Sequence, residues 1–157
     1  MNHENNDEDS ISGKFALVTG AAKGIGKASA LELAKMGVNV AINYNSSESE
    51  ALKTVAEIKS LGVDSFATQA NVGDLNQVNA MIDETLNRFS QIDILINNAG
   101  IIDDSLLLRM KDEAWERVID TNLNGTFYCS RAAVKSMFKS KWGRIINIGS
   151  VVGLRGN

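Results

Sequence analysis

The segment Thr19-Gly20-Ala21-Ala22-Lys23-Gly24-Ile25-Gly26 joins an apolar run, Phe15 to Val18, to a stretch of helical character that begins near Gly24. A glycine-rich turn between a strand and a helix can hold a phosphate. Gly20 permits the tight turn, Gly24 lets the backbone approach a pyrophosphate, and Gly26 lets the helix pack close on the strand. The helix start adds unpaired N–H groups and a positive dipole end for the anion. By itself the segment also reads as an ordinary strand-to-helix turn. Three further features bear on the choice. Asn97-Asn98-Ala99-Gly100 comes directly after an apolar strand, Ser150 comes directly after another, and Asn122 interrupts an otherwise apolar helical stripe. Taken singly, these are a turn, a loop hydroxyl closing a turn, and a local backbone bond or helix kink. A polar amide at an apolar-face position costs stability unless it is hydrogen-bonded, so Asn122 needs a reason to be there.

The elements that must position these residues alternate along the chain. Predicted strands are Phe15 to Val18, Val38 to Tyr44, Ser65 to Ala70, Ile92 to Ile96 and Arg144 to Ile148; predicted helices are Gly24 to Met36, Ser47 to Leu61, Leu75 to Phe89 and Asp112 to Lys139. Gly37 and Gly62 stand where left-handed C-terminal caps are expected. The last helix carries the stripe Trp115, Val118, Ile119, Leu123, Phe127, Val134 and Phe138. Alternating β and α elements predict an α/β fold with a parallel, doubly wound sheet, right-handed crossovers and helices on both faces.

The 157 residues are 44% hydrophobic and 22% charged, which suits one globular domain with a core and no need for a second. Net charge is -3, but Glu4, Asp7, Glu8 and Asp9 lie in a stretch without Lys or Arg. Without them the body is nearly neutral, and no broad basic surface for nucleic acid is expected. Residues 1–12 read as a disordered acidic tail and not a signal peptide, and residues 13–157 as the domain. No apolar run is long enough to span a bilayer. Cys129, the single cysteine, excludes an internal disulfide and points to a reducing, cytoplasmic setting. On an apolar helix it reads as a core residue, with a reactive thiol as the alternative. His3 is the only histidine and lies in the tail, so neither a Ser-His-Asp triad nor a histidine-rich metal site is expected.

The glycine turn, Asn97-Asn98-Ala99-Gly100 and Ser150 together resemble the short-chain dehydrogenase/reductase family, from Lys14 to the end of the chain. The segments from Gly100 to Met110, Thr121 to Phe127 and Gly143 to Gly153 are most similar to the NADPH-dependent 3-oxoacyl-[acyl-carrier-protein] reductases of fatty acid synthesis. The resemblance implies a Rossmann-type sheet. It assigns Gly20, Ala22, Lys23, Gly24, Ile25 and Gly26 to the cofactor phosphates, Asn71 and Val72 to the adenine, and Asn98, Ala99 and Gly100 to the ribose and nicotinamide. It also implies an acyl thioester on acyl carrier protein as substrate partner, and a homo-oligomer for a full-length protein.

Cofactor choice follows from charge. An acid at the end of the second strand suits the ribose 2′-hydroxyl of NAD, whereas a 2′-phosphate needs donors or a cation there. That region reads Asn43-Tyr44-Asn45-Ser46-Ser47, with no acid before Glu48, and by analogy Lys23 faces it. Asn43, Ser46 and Lys23 are therefore expected to favour NADP(H).

Ketone reduction by hydride needs a proton donor for the developing alkoxide and a polarising hydrogen bond to the carbonyl. By resemblance Ser150 bonds the carbonyl and Asn122 supports a water-linked proton path. The family's tyrosine and lysine, four residues apart, have no counterpart: Tyr44 is followed at that spacing by Glu48 and Tyr128 by Ala132. A lysine one turn beyond a tyrosine shares its helix face and can lower its pKa. The chain is thus expected to be the family's fold without its C-terminal third, inactive alone, with its last strand an exposed edge. Alternatively it is a complete, non-catalytic nucleotide-binding or partner-binding module of the same descent.

Overall fold

The structure, a computed structural model, describes residues 10–156. Five strands form one wholly parallel sheet: β1 (Phe15–Val18), β2 (Asn39–Tyr44), β3 (Ser65–Gln69), β4 (Ile94–Asn97) and β5 (Arg144–Asn147), in the spatial order β3-β2-β1-β4-β5. The predicted Rossmann-type, doubly wound α/β architecture is what the chain adopts.

The helices are α1 (Gly24–Lys35), α2 (Glu48–Ser60), α3 (Leu75–Phe89), α4 (Asp112–Ile119), α5 (Gly125–Ser140) and a single turn, α6 (Val152–Arg155). Strand periodicity sorts them onto two faces. Ala16, Val18, Val40, Ile42, Ile94 and Ile96 point one way, into a core with Ala30 and Ala34 of α1 and Ile58 of α2. Leu17, Ala41 and Leu95 point the other way, onto Val78, Met81 and Ile82 of α3 and Cys129, Ala133 and Met137 of α5.

The predicted strands and first three helices agree with the structure to within two residues; the last helical stretch differs, and the single turn α6 was not predicted. Ile11, assigned with the tail, packs against the α1/α2-side core; the acidic residues and His3 lie outside the described residues. The predicted helix Asp112 to Lys139 is interrupted by a π-helical turn over Asp120–Asn124. Its predicted apolar stripe also does not face the core: Trp115, Leu123, Phe127, Val134 and Phe138 are exposed. The buried face of α5 is the row Gly125, Cys129, Ala133 and Met137. These smaller side chains let α5 lie close to α3 and the sheet, and a periodicity count weighted by bulk selected the wrong side.

Among the described residues no helix is long and apolar enough to cross a membrane.

Candidate functional site

β1 and β4 are neighbours in the sheet, while the chain leaves them toward opposite edges, β2 and β5. The divergence opens a crevice beyond their carboxyl ends, where ligands of open parallel sheets bind. A cavity of about 330 Å³ lies there. Gly20, Ala22, Lys23, Asn43, Ser46, Asn71, Val72, Asn98, Ala99 and Gly100 all line it, bringing together ten sequence-predicted residues from four strand ends. Gly24, Ile25 and Gly26 form the first turn of α1 beside it.

The glycine turn has the geometry that its sequence implies. Gly20 has φ +61°, and a Cβ there would lie 2.9 Å from the Ala99 Cα. Gly24 has φ +62° and open space where a side chain would be. At Gly26 a Cβ would collide with the Asn98 amide nitrogen, so its small size serves contact with the β4 end as well as with the strand before it.

Two residues weld the turn to β4. The Thr19 hydroxyl accepts the backbone N–H groups of Asn98 and Ala99, both at 3.0 Å, and Asn98 Nδ2 donates to the carbonyls of Thr19 at 2.9 Å and Gly20 at 3.1 Å. Thr54 of α2 adds a bond from its hydroxyl to the Ala22 carbonyl at 3.1 Å. Thr19 and Thr54 were not among the predicted site residues. A hydroxyl closing a strand just before a glycine turn was the available signal for Thr19, whereas Thr54 reaches the turn only through tertiary packing.

The start of α1 is left without protein partners of the usual kind. Its N-cap residue, Lys23, makes no side-chain capping bond, and there is no acid in the first turn. The contrast is α3, where Asp74 caps the helix by accepting from Asn76 N–H at 2.8 Å and Gln77 N–H at 3.2 Å. The bonds from Gln77, with those from the backbone, hold the Asp74 carboxyl below its ordinary range. The leading N–H groups of α1 suit an anion supplied from outside the chain. Lys23 is exposed and in no ion pair among the described residues, whereas Lys27 is paired with Glu57 at 2.7 Å.

Asn122 and Ser150 line an adjoining cavity of about 370 Å³ whose wall includes Ile102, Met110, Trp115, Val118 and Val152. Ile101 borders both cavities. Asn122 grips it from both ends: its Oδ1 accepts the Ile101 N–H and its Nδ2 donates to the Ile101 carbonyl, each at 2.9 Å. The amide that interrupts the helical stripe therefore has its partner, and it sits within the π-turn. Ser150 is exposed; its Oγ accepts from the Val152 N–H at 3.2 Å, leaving the hydroxyl proton available to a ligand.

Neither tyrosine stands beside Ser150 in that cavity. Tyr44 is buried, and desolvation, followed by the nearby Glu48 carboxylate, raises its phenol above the ordinary value. Cys129 is buried too, and burial pushes its thiol up to about 12, so it is a packing residue and not a nucleophile. Among the described residues no cluster of three or more His, Cys, Asp or Glu could hold a metal.

The sequence profile of the short chain dehydrogenase family matches residues 14–157. Among curated proteins the chain is 54% identical over 144 residues to a 3-oxoacyl-[acyl-carrier-protein] reductase FabG of Staphylococcus aureus, covering 92% of this chain and 58% of that protein. It is 53% identical over 147 residues to a 3-oxoacyl-[acyl-carrier-protein] reductase of Synechocystis, covering 94% of this chain and 60% of that one. A solved structure of a short chain dehydrogenase from Burkholderia cenocepacia in complex with NADP superposes with a TM-score of 0.88 at 34% identity, over 95% of this chain and 60% of that one. A short-chain alcohol dehydrogenase from Sinorhizobium meliloti gives 0.90 at 32% identity, over 94% and 58%. The chain thus spans less than two thirds of the length of these relatives.

Proposed function

As the chain belongs to the short chain dehydrogenase family, we propose that the crevice beyond β1 and β4 takes a nicotinamide dinucleotide, NADP(H) in preference to NAD(H). We propose further that the chain contributes this part of a reductase of 3-oxoacyl thioesters carried on acyl carrier protein. The observation that carries the cofactor reading is the uncapped start of α1 at the base of a crevice that gathers Gly20, Lys23, Asn98 and Gly100. The identity to 3-oxoacyl-[acyl-carrier-protein] reductases supports the substrate class.

The residues present fit the cofactor. The leading N–H groups of Gly24, Ile25 and Gly26 would hold the pyrophosphate. Asn71 and Val72 would flank the adenine, and Asn98, Ala99 and Gly100 the ribose and nicotinamide. Lys23, Ser46 and the backbone around Asn43 would face a 2′-phosphate, with no carboxylate to repel it before Glu48. When bound, the nicotinamide supplies the hydride. The chain's own part begins with Ser150, whose free hydroxyl proton can donate to a carbonyl oxygen in the adjoining cavity. Asn122 fixes Ile101, the shared wall, and so sets the relation of the two cavities. The apolar side chains of Met110, Trp115 and Val118 offer a surface for an acyl chain.

No tyrosine in these 157 residues is followed four residues later by lysine, and the chain spans 58% of the length of the Staphylococcus aureus reductase it resembles. We therefore propose that it binds cofactor and does not turn over alone. A full-length form would be a homo-oligomer in the cytoplasm, with no nucleic acid or membrane among its partners. The test is NADPH oxidation with an acetoacetyl thioester, run beside NADPH binding. Binding without turnover is the expected result, and turnover above background contradicts the role given to the missing pair.

A further inference from the structure

Asn43 stands on β2 opposite Thr68 of β3 and is only 1% exposed, yet it borders the crevice. Both ends of its amide are engaged by the protein. Oδ1 accepts the Gly20 N–H at 3.2 Å. Nδ2 faces three carbonyls, of Ala70 at 3.0 Å, Tyr44 at 3.2 Å and Thr68 at 3.4 Å. Its backbone carbonyl accepts the N–H of Ala21 at 2.9 Å. The partners fix the amide's orientation, since an N–H must meet the oxygen and the carbonyls must meet the NH2 group.

We infer that Asn43 is a positioning residue for the dinucleotide: it pins two consecutive amides of the glycine turn to the ends of β2 and β3 and does not itself touch the cofactor's 2′ substituent. This rests on the reading of the crevice as a nicotinamide dinucleotide site. The consequence separates two jobs that the sequence places side by side. Asn43 sets the shape of the diphosphate cradle, common to both dinucleotides, and discrimination at the 2′ position falls to Lys23 and Ser46. An acid at position 43 would turn lone pairs toward the Tyr44, Thr68 and Ala70 carbonyls and could keep only the bond to Gly20. Asn43→Asp would therefore damage the cradle without acting as a ribose acceptor.

The test titrates NADPH and NADH against the 157-residue chain, Asn43→Ala and Asn43→Asp, with Thr85→Val as a structural control. Thr85 is buried in α3 and its hydroxyl bonds the Met81 carbonyl at 2.8 Å, away from the crevice. Both Asn43 variants are expected to weaken NADPH and NADH by the same factor, about five- to tenfold, as suits the loss of one or two buried hydrogen bonds. Thr85→Val is expected to lose stability with both affinities intact. In the amide spectrum Gly20 N–H of Asn43→Ala should move upfield and exchange faster. Weakening of NADPH alone would make Asn43 a direct 2′-phosphate ligand and overturn the inference, as would unchanged affinities in a folded Asn43→Ala. If neither variant folds, Asn43→Ser and the exchange rate of Gly20 N–H in the unaltered chain decide, an unprotected amide overturning the inference. Failure of the unaltered chain to bind either dinucleotide would instead sink the cofactor reading, and Gly20 protection would still report on Asn43.

Discussion

Lys23 and Cys129 mark the two extremes of side-chain environment at the residue scale, one exposed beside the crevice with no ion pair among the described residues, the other sealed between α5 and the sheet. Lys23→Ala should lower NADPH affinity about three- to tenfold and leave NADH nearly unchanged, because an exposed cation contributes modestly and only where a second phosphate meets it; paired binding isotherms check this. The Cys129 thiol should resist iodoacetamide in the native chain at pH 8 and react at the rate of opening, which a denaturant series would show. Its folded-state pKa, about 12 against an ordinary 9.0, lies above the unfolded value. The contribution to stability is therefore complete below pH 9 and falls as pH rises from about 9 toward 12, so a Cys129→Ala variant should lose that alkaline component in pH-dependent melts. The lining of the crevice was legible here because a glycine turn and a double asparagine each constrain local geometry in one dimension, and the structure brings both to one cavity. Asn43 borders the crevice as expected, but that its amide is already bonded within the protein could not be seen in the sequence, which shows what a residue can bond and not which partners it meets.

At the scale of elements, the π-turn at Asp120–Asn124 and the α5 start form a packing unit with the loop after β3. A Cβ on Gly125 would sit 2.8 Å from Val72 Cγ2 and 3.0 Å from its carbonyl oxygen, and one on Gly73 would press against Asp120 at 3.2 Å. Gly125→Ala should cost about 1–3 kcal/mol of overpacking strain and shift the adenine-side wall, giving a lower melting temperature together with weaker dinucleotide binding. Asp74→Ala should lower the melting temperature through loss of the α3 cap. With the Asp74 carboxyl lowered in the fold, that contribution is present above its ordinary pKa and lost as pH falls through the lowered value, so wild type and variant should converge in acid melts. The strands and three of the helices were legible because their apolar periods and glycine stops agree. The break at Asn122 was visible only as a polar residue in an apolar stripe. The orientation of α5 was visible only in the core reading of Cys129, because Phe127 and Phe138 outweigh Cys129 and Ala133 in any count of bulk, while close approach to the sheet selects the smaller row.

Over the whole molecule, the described structure ends its sheet at β5, whose four residues are all exposed, and it leaves Phe138 86% and Phe127 54% accessible on the outer side of α5. An open strand edge beside an apolar helix face favours association. The 157-residue chain should sediment with a concentration-dependent mass, and Phe138→Ser should reduce that dependence with little change in dinucleotide affinity, because no residue of α5 lines the crevice. The doubly wound order β3-β2-β1-β4-β5 explains why one crevice collects residues separated by up to 101 positions in sequence, from Gly20 to Thr121. The most direct measurement is calorimetric titration of the chain with NADPH and NADH at one ionic strength. Saturable binding of both, tighter for NADPH and weakened by Gly24→Val, is the predicted result; absence of binding by a folded chain, or equal affinity for the two, would contradict the assignment of the crevice to NADP(H).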